Sequence, residues 1–571
     1  MGAVAAPGHA LIVEGRSIAA FGRERAVQAV LIVAAVAALL LLVALPTGTL
    51  ILRSVYDGQD RFVGVDNFVR YLQSPVLLRS TLNSLLIAIV TTLICVSLAF
   101  TFAYALTLSC MRGKAVFRAI ALVPLLAPSL LPAISLIYLF GNQGWLKGLL
   151  FGQSVYGTLG MVIGGVFWTL PHALVILITA LATQDGRLYE AAETLGASRW
   201  RAFRTVTLPS SRYGLIIASV VVFILVLTDF GVPKVIGGQT PVLATDIYKQ
   251  VVGQQNFQMG AVVGFMLLLP AVAAFFVERH VRARQSAVLS VRATPHEPRP
   301  HAPRDWALFA FCTVLAIALL TMIGMAIFAS FATAWPYRLT PSFKNYDFDN
   351  MDGGGWGSYF NSLRLSFYVA VVGSLVAFVT AYLVEKPRHF RLLRETLNLL
   401  ATLPLAIPGL ALGVGYIMFF NSASNPLHGI YGTMTILVLC TVAHYFSVPH
   451  ITQLTGLRQL DVEFERVAES LGVPFWRNMI SIHLPICLPV VLSVGGYFFV
   501  SAMTTVSAVV FLYSPQTTLA SIAVLNMDDA GDVAPAAAMA SLIFATTALM
   551  RLLIAGVSWA ALRKTRSWRT R

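Results

Sequence analysis

The residues able to do chemistry are few in this sequence, and they stand far apart. Asp229, in the stretch VLTDFGVPKVIGG, follows Thr228, while Thr504, Thr505 and Ser507 supply hydroxyls further along the chain. An acid beside hydroxyls offers an ionic contact to an ammonium and hydrogen bonds to an anion. Asp229 reads either as an acid lining a path or as a solvated acid at a boundary, because placing it in lipid costs on the order of 3 kcal/mol or more. Asp528, Asp529 and Asp532 in NMDDAGD could gather a cation, but three acids in a loop without further ligands read first as solvated charge. Lys234 and Lys249 read as solvated loop charges, and His172 and His450, each after a proline, as hydrogen-bonded packing residues. The five cysteines, Cys95, Cys110, Cys312, Cys440 and Cys487, form no CxxC pair and support neither a disulfide framework nor a metal site. No set of nucleophile, base and orienting acid is visible. A G-x-x-x-x-G-K-[ST] run is also missing, since Gly113-Lys114 leads into Ala115. The chain reads as a non-enzyme that cannot hydrolyse ATP by itself.

The elements that position these residues are membrane spans. Of 571 residues, 57% are hydrophobic and 11% charged, and mean hydropathy is +0.77; soluble domains carry roughly 25% charge. A span takes about 20 apolar residues, and the pattern predicts an all-α membrane protein with twelve: 29-52, 82-108, 116-140, 158-183, 212-231, 258-280, 305-331, 361-384, 392-420, 431-456, 486-512 and 534-562. The first span has no small-residue cleavage site and is too long for a signal-peptide core, so it is expected to be retained. Prolines 124, 128, 132, 404 and 408 are expected to kink spans. Lys and Arg gather in the N-terminal tail, every second loop and the C-terminal tail, 29 against 9 in the intervening loops, which predicts both termini in the cytoplasm. The net charge of +15 is accounted for by orientation and anionic lipid headgroups, with no nucleic acid partner.

A repeat organises the spans. Shifting YEAAETLGASRWRAFRTVTLP by 276 positions brings Ala192 onto Ala468, Glu193 onto Glu469, Gly196 onto Gly472, Trp200 onto Trp476 and Leu208-Pro209 onto Leu484-Pro485, with Asp185 onto Asp461. NSL recurs at Asn83 and Asn361, and YGT at Tyr156 and Tyr431. The chain therefore divides into a first six-span half, 1-280, a Pro-, Arg- and His-rich linker, 281-304, and a second six-span half, 305-571. Six spans per copy give parallel repeats about an axis normal to the membrane, with a path expected between them.

The repeated polar stretch reads as helix, turn, helix. Leu188, Ala191, Ala192 and Leu195 form a small apolar face, with Glu190 and Glu193 in the early turns where the helix dipole favours acids. Gly196 and Gly472 are expected to end their helices in the left-handed conformation. Ser198, and Pro474 in its place in the second copy, are suited to start the next. Leu-Pro is expected to stop that second helix before the following span.

Glu190-Ala191-Ala192, Gly196 and Leu208-Pro209 resemble, residue for residue, the EAA loop of permease subunits of bacterial ATP-binding cassette importers. The resemblance runs over both halves and implies a type I importer permease fold. It implies loops, carried by Glu190, Ala191, Ala192, Gly196 and Trp200 and by Glu469, Gly472 and Trp476, that dock two copies of a cytoplasmic ATPase. No cofactor is expected on this chain, the ATP and Mg2+ being held by that partner. A periplasmic binding protein and a place in the bacterial inner membrane complete the expectation. The second copy departs from the motif, with Arg466-Val467 where the first has Glu-Ala, which suggests an asymmetric dock. Fused permeases of this layout resemble importers of ferric iron, thiamine and phosphonates. FRAIALVPLLAPSLLPAISLIYLFGNQGWLKGLL, DFGVPKVIGG, LATDIYKQVVGQQNFQMGAVVG and VLNMDDAGD are similar to permeases for 2-aminoethylphosphonate, the expected solute, with ferric iron or thiamine as alternatives. An ion-driven secondary transporter is the competing class; it would need no docking loops and would carry coupling carboxylates deep in its spans.

Overall fold

The computed structural model describes residues 8–288, 294, 297–387 and 389–566. Expectations for the two extreme ends and for 289–293, 295 and 296 of the linker lie outside the described residues. Among the described residues, nine helices are long and apolar enough to cross a membrane, and three bent helix pairs raise the number to twelve. The fold is the expected all-α membrane architecture, and several helices run well beyond the apolar stretch, as Pro75–Leu108 does at 34 residues. A hairpin pairing Ala332–Ala334 with Arg338–Pro341 and an isolated bridge between Tyr56 and Phe62 supply the strand structure among the described residues.

Proline does more than kink two of the spans. Lys114–Leu126 meets Leu130–Phe140 at 104°, and Arg391–Ala406 meets Gly409–Phe420 at 111°. In both copies the sequence Pro-x-x-x-Pro closes a helix with one 3-10 turn, Val123–Leu126 or Leu403–Ala406. It then forces the residue before the second proline, Ala127 or Ile407, into extended backbone. The pyrrolidine ring excludes the α conformation there. The third bend, 58° between Met434–Tyr445 and Ser447–Arg458, belongs to the second copy only; its counterpart Thr158–Ala182 is continuous through Pro171.

Packing crosses the repeat boundary. The helix that opens the first copy contributes Ile32, Leu39 and Val43 to the core of the second, and Tyr416 donates its hydroxyl to the Leu42 carbonyl at 2.7 Å. Gly415 is required there, because a Cβ would sit 2.5 Å from the Pro46 oxygen. Reciprocally, Ala302–Phe331, which opens the second copy, buries Cys312, Ala316 and Leu319 in the core of the first, with Phe309 edge-on to Phe117. Each copy thus lends its first span to the other.

Candidate functional site

The first loop begins at Asp185, whose Oδ1 accepts the Arg187 N–H at 3.1 Å and caps the helix Gly186–Thr194. The Arg187 N–H, together with bonds from Thr294, holds this exposed carboxyl below the usual carboxylate range. The helix ends as the sequence predicts. Gly196 sits at φ +70°, its N–H reaches Glu193 O and the Ala197 N–H reaches Ala192 O, both at 2.9 Å. These bonds satisfy carbonyls that the helix end would otherwise leave open. The Ser198 side chain then accepts the Arg201 N–H at 3.3 Å and starts Arg199–Ala202.

The second loop repeats this construction. Asp461 Oδ1 accepts the Glu463 N–H at 3.0 Å at the head of Glu463–Ser470. Gly472 lies at φ +64°, with Gly472 N–H to Glu469 O at 3.2 Å and Val473 N–H to Ala468 O at 2.9 Å. Pro474 precedes Phe475–Asn478 and offers no side-chain cap.

The expectation that Leu-Pro stops the second helix is corrected. Arg199–Thr228 and Phe475–Thr504 are each continuous, 30 residues long, and pass through a π turn at Phe203–Thr207 and Met479–His483. The Leu208 N–H bonds to Phe203 O and the Leu484 N–H to Met479 O, five residues back. The wide turn carries a proline that has no N–H to give and whose ring would strike the carbonyl four residues back in a regular helix.

Counting each bent pair as one crossing, six spans separate the loops, so both lie at one end of the bundle. Glu190, Ala191 and Glu469 are exposed, and Ala192 is half-buried. Trp200 is 67% exposed and stacks on Phe203 with centroids 5.5 Å apart, while Trp476 is 40% exposed. Leu195 at 85% and Leu471 at 71% project at the turns. The small apolar face is therefore not consumed by the chain's own core.

Sequence reasoning missed what lies under the loops. In the first, the Tyr189 hydroxyl bonds Gln184 Oε1 and lies 2.9 Å from Thr207 Oγ1, and Gln184 Nε2 donates to Thr207 O at 3.1 Å. In the second, Glu465 Oε1 takes Lys386 Nζ and His483 Nε2, each at 2.8 Å, with His483 fully buried. Tyr189 aligns with Glu465 and Thr207 with His483 at the same shift of 276, which was the available signal.

The other expected site residues sit elsewhere. Asp229 follows Arg199–Thr228 and caps the short helix Gly231–Ile236: Oδ1 accepts the Gly231 N–H at 3.2 Å and Oδ2 the Val232 N–H at 3.1 Å. It also lines a small cleft with Trp168, Val226 and Pro233. Thr228 and Thr504 turn their hydroxyls back to Ile224 O and Val500 O, Thr505 is buried at the matching helix end, and Ser507 lies beside Gly409. Among the described residues no hydrogen bond joins Asp229 and Thr228 to Thr504, Thr505 and Ser507. The reading of Lys234 and NMDDAGD as free loop charges is corrected. Asp528 and Asp529 stand on the helix Ala520–Ala530, and Asp529 pairs across the halves with Lys234 Nζ at 3.0 Å. Among the described residues no three His, Cys, Asp or Glu side chains come together as a metal site would require. His450 is hydrogen-bonded as expected, to Asn398 at 3.2 Å, and His172 packs its ring against Trp168 with centroids 5.7 Å apart.

The two loops, each with its exposed leucine and tryptophan, stand at one end of a duplicated bundle of membrane spans. The family described as binding-protein-dependent transport system inner membrane component matches residues 109–287 and 373–559. The chain belongs to that family and is the permease component of an ATP-binding cassette importer. It is 29% identical over 491 residues to a candidate ferric transport system permease of Haemophilus influenzae, spanning 83% of this chain and 76% of that protein. It is 28% identical over 514 residues to a ferric transport system permease of Actinobacillus pleuropneumoniae, spanning 87% and 73%. A candidate 2-aminoethylphosphonate transport permease of Salmonella paratyphi A is 25% identical over 234 residues, spanning 40% of this chain and 85% of that protein.

Proposed function

We propose that the chain forms the path of an importer whose two loops dock two copies of a cytoplasmic ATPase. The observation that carries this reading is the pair of loops with the same glycine cap and exposed Leu195, Leu471, Trp200 and Trp476. ATP and Mg2+ belong to the partner. Closure of the ATPase pair would bring the loops together and rotate the bundles as rigid bodies, a small displacement amplified into gating. Gly196→Pro tests the dock: proline fixes φ near −65° and cannot hold the turn. The variant should insert normally and lose the ATPase on co-purification. The isolated chain should hydrolyse no ATP; hydrolysis by it would end the proposal.

For the solute we propose 2-aminoethylphosphonate, delivered by a periplasmic binding protein. This rests on the similarity to the Salmonella protein and on the acids and lysine that meet between the halves. Ferric iron is the second reading, favoured by relatives that match most of the chain. Asp229, which lines the small cleft with Trp168, Val226 and Pro233, is proposed to line the path. Asp229→Asn should slow uptake of 2-aminoethylphosphonate more than that of methylphosphonate, which lacks the ammonium. Equal losses would leave Asp229 a helix cap, and ferric uptake by the intact system would replace the phosphonate reading.

A further inference from the structure

The two loops start their second helices differently, and the difference is made good from the other copy. Ser198 caps its own helix. Pro474 cannot, yet the Phe475 N–H at the helix start is not left open: Glu24 Oε1 accepts it at 2.8 Å. Glu24 lies on the helix that leads into the first span of the first copy, 451 positions away in sequence. The Phe475 carbonyl is held as well, by the Tyr382 hydroxyl at 3.4 Å, and the two rings stack. Phe475 itself is buried. The first loop has a related brace. There the Gly186 N–H, at the start of the loop's first helix, donates to Thr294 O at 2.8 Å, and Arg299 pairs with Glu193. Thr294 and Arg299 belong to the linker that leads into the first span of the second copy. Each loop is therefore held by the segment entering the opposite copy.

We infer that Glu24 is a positioning residue for the second loop: it accepts the first N–H of a helix to which Pro474 offers no side-chain cap, and so fixes the angle at which Leu471 and Trp476 are presented. An acceptor at a helix start satisfies a donor that has no partner inside the helix, and an acid there also meets the positive end of the dipole. Because the cap comes from the first copy, movement of one half is felt at the docking surface of the other. The inference rests on the docking role proposed for the loops.

The test uses the full chain co-purified with its ATPase in lipid nanodiscs, measuring assembly affinity, ATP turnover and hydrogen exchange over residues 475–483. Glu24→Ala should weaken assembly roughly fivefold, the effect of one lost cap, and speed exchange in that segment. Glu24→Gln keeps an acceptor oxygen and should stay close to wild type. Wild-type assembly and exchange in Glu24→Ala would overturn the inference. So would equal losses in Glu24→Ala and Glu24→Gln. Gly472→Pro separates the two claims: full assembly in that variant would sink the docking role itself, whereas lost assembly beside an inert Glu24→Ala would sink only the cap.

Discussion

Beneath each knob a single side chain ties the loop helix to the π turn, and the two ties differ in charge. Tyr189 makes the first with neutral partners; Glu465 makes the second with Lys386 and His483, where the lysine is 7% and the acid 17% exposed. Loss of one partner from a buried ion pair strands the other charge and costs about 3–5 kcal/mol, whereas a neutral hydrogen bond contributes about 1 kcal/mol. Lys386→Met should therefore loosen residues 463–483 far more than Tyr189→Phe loosens 186–207, as read by hydrogen exchange. Acid should separate them too. Burial pushes the Glu465 carboxyl up, but hydrogen bonds from Lys386 and His483 and the lysine charge outweigh it and hold the carboxyl below its usual range. A folded value below the unfolded one gives stability that is complete above the ordinary carboxylate range and lost as pH falls through the folded value. The tie made by Glu465 should loosen on acidification, whereas the tie made by Tyr189 contains no carboxyl to protonate. None of this contrast could be read from residue types alone, since Lys386 lies outside the repeated stretch and meets Glu465 only when the chain folds. The glycines were legible because their requirement is local: a positive φ with no neighbour within 4 Å of a would-be Cβ at Gly196 or Gly472 makes the backbone alone the reason for glycine.

The loops and spans are joined by an element that sequence rules misread. Pro209 and Pro485 are helix breakers by propensity, so a stop was the natural expectation. One extra residue in the turn before each proline removes the clash and lets a 30-residue helix carry the knob on its own axis. A knob on a continuous helix can transmit a push to the far end; one on a flexible joint cannot. Deleting Thr205 should restore a regular helix, bring the Pro209 ring against a carbonyl, and destabilise the helix by about 3 kcal/mol. Adding Pro209→Ala should recover that loss while leaving a regular turn. Thermal melts of the purified permease would read both effects, and a Thr205 deletion as stable as the wild type would mean that proline does not require the wide turn. The Pro-x-x-x-Pro breaks were legible as interruptions in both copies; their near-perpendicular angles follow from the extended Ala127 and Ile407, which no hydropathy pattern encodes.

At the scale of the whole molecule, the repeat found in sequence gives the order of spans but not their neighbours. Lipid-facing and protein-facing apolar residues look alike in composition, so nothing in the stretch 29-52 announces that Ile32, Leu39 and Val43 pack into the second core. What specifies the exchange is small-residue fit and a polar contact, Gly415 under the Pro46 carbonyl and Tyr416 on Leu42 O, while Thr547 on Leu126 O at 2.6 Å joins the halves elsewhere. Such contacts carry helix association where there is no hydrophobic drive between spans, and an interhelical hydrogen bond contributes roughly 0.6 kcal/mol. At the end opposite the loops, Lys234 and Asp529 add one further tie between halves. A half expressed alone must then expose the groove meant for the other's first span while its own first span lacks a seat. Residues 1–293 or 294–571 alone should insert but fail to give a monodisperse species in detergent. Co-expressed, the two pieces should co-purify at one to one, because every exchanged contact is available again without the covalent link. Gly415→Leu should abolish that recovery, since its side chain would occupy the seat of the first span. Stable, separately purified halves would instead mean that each copy folds on its own first span and that the exchange adds little to the assembly.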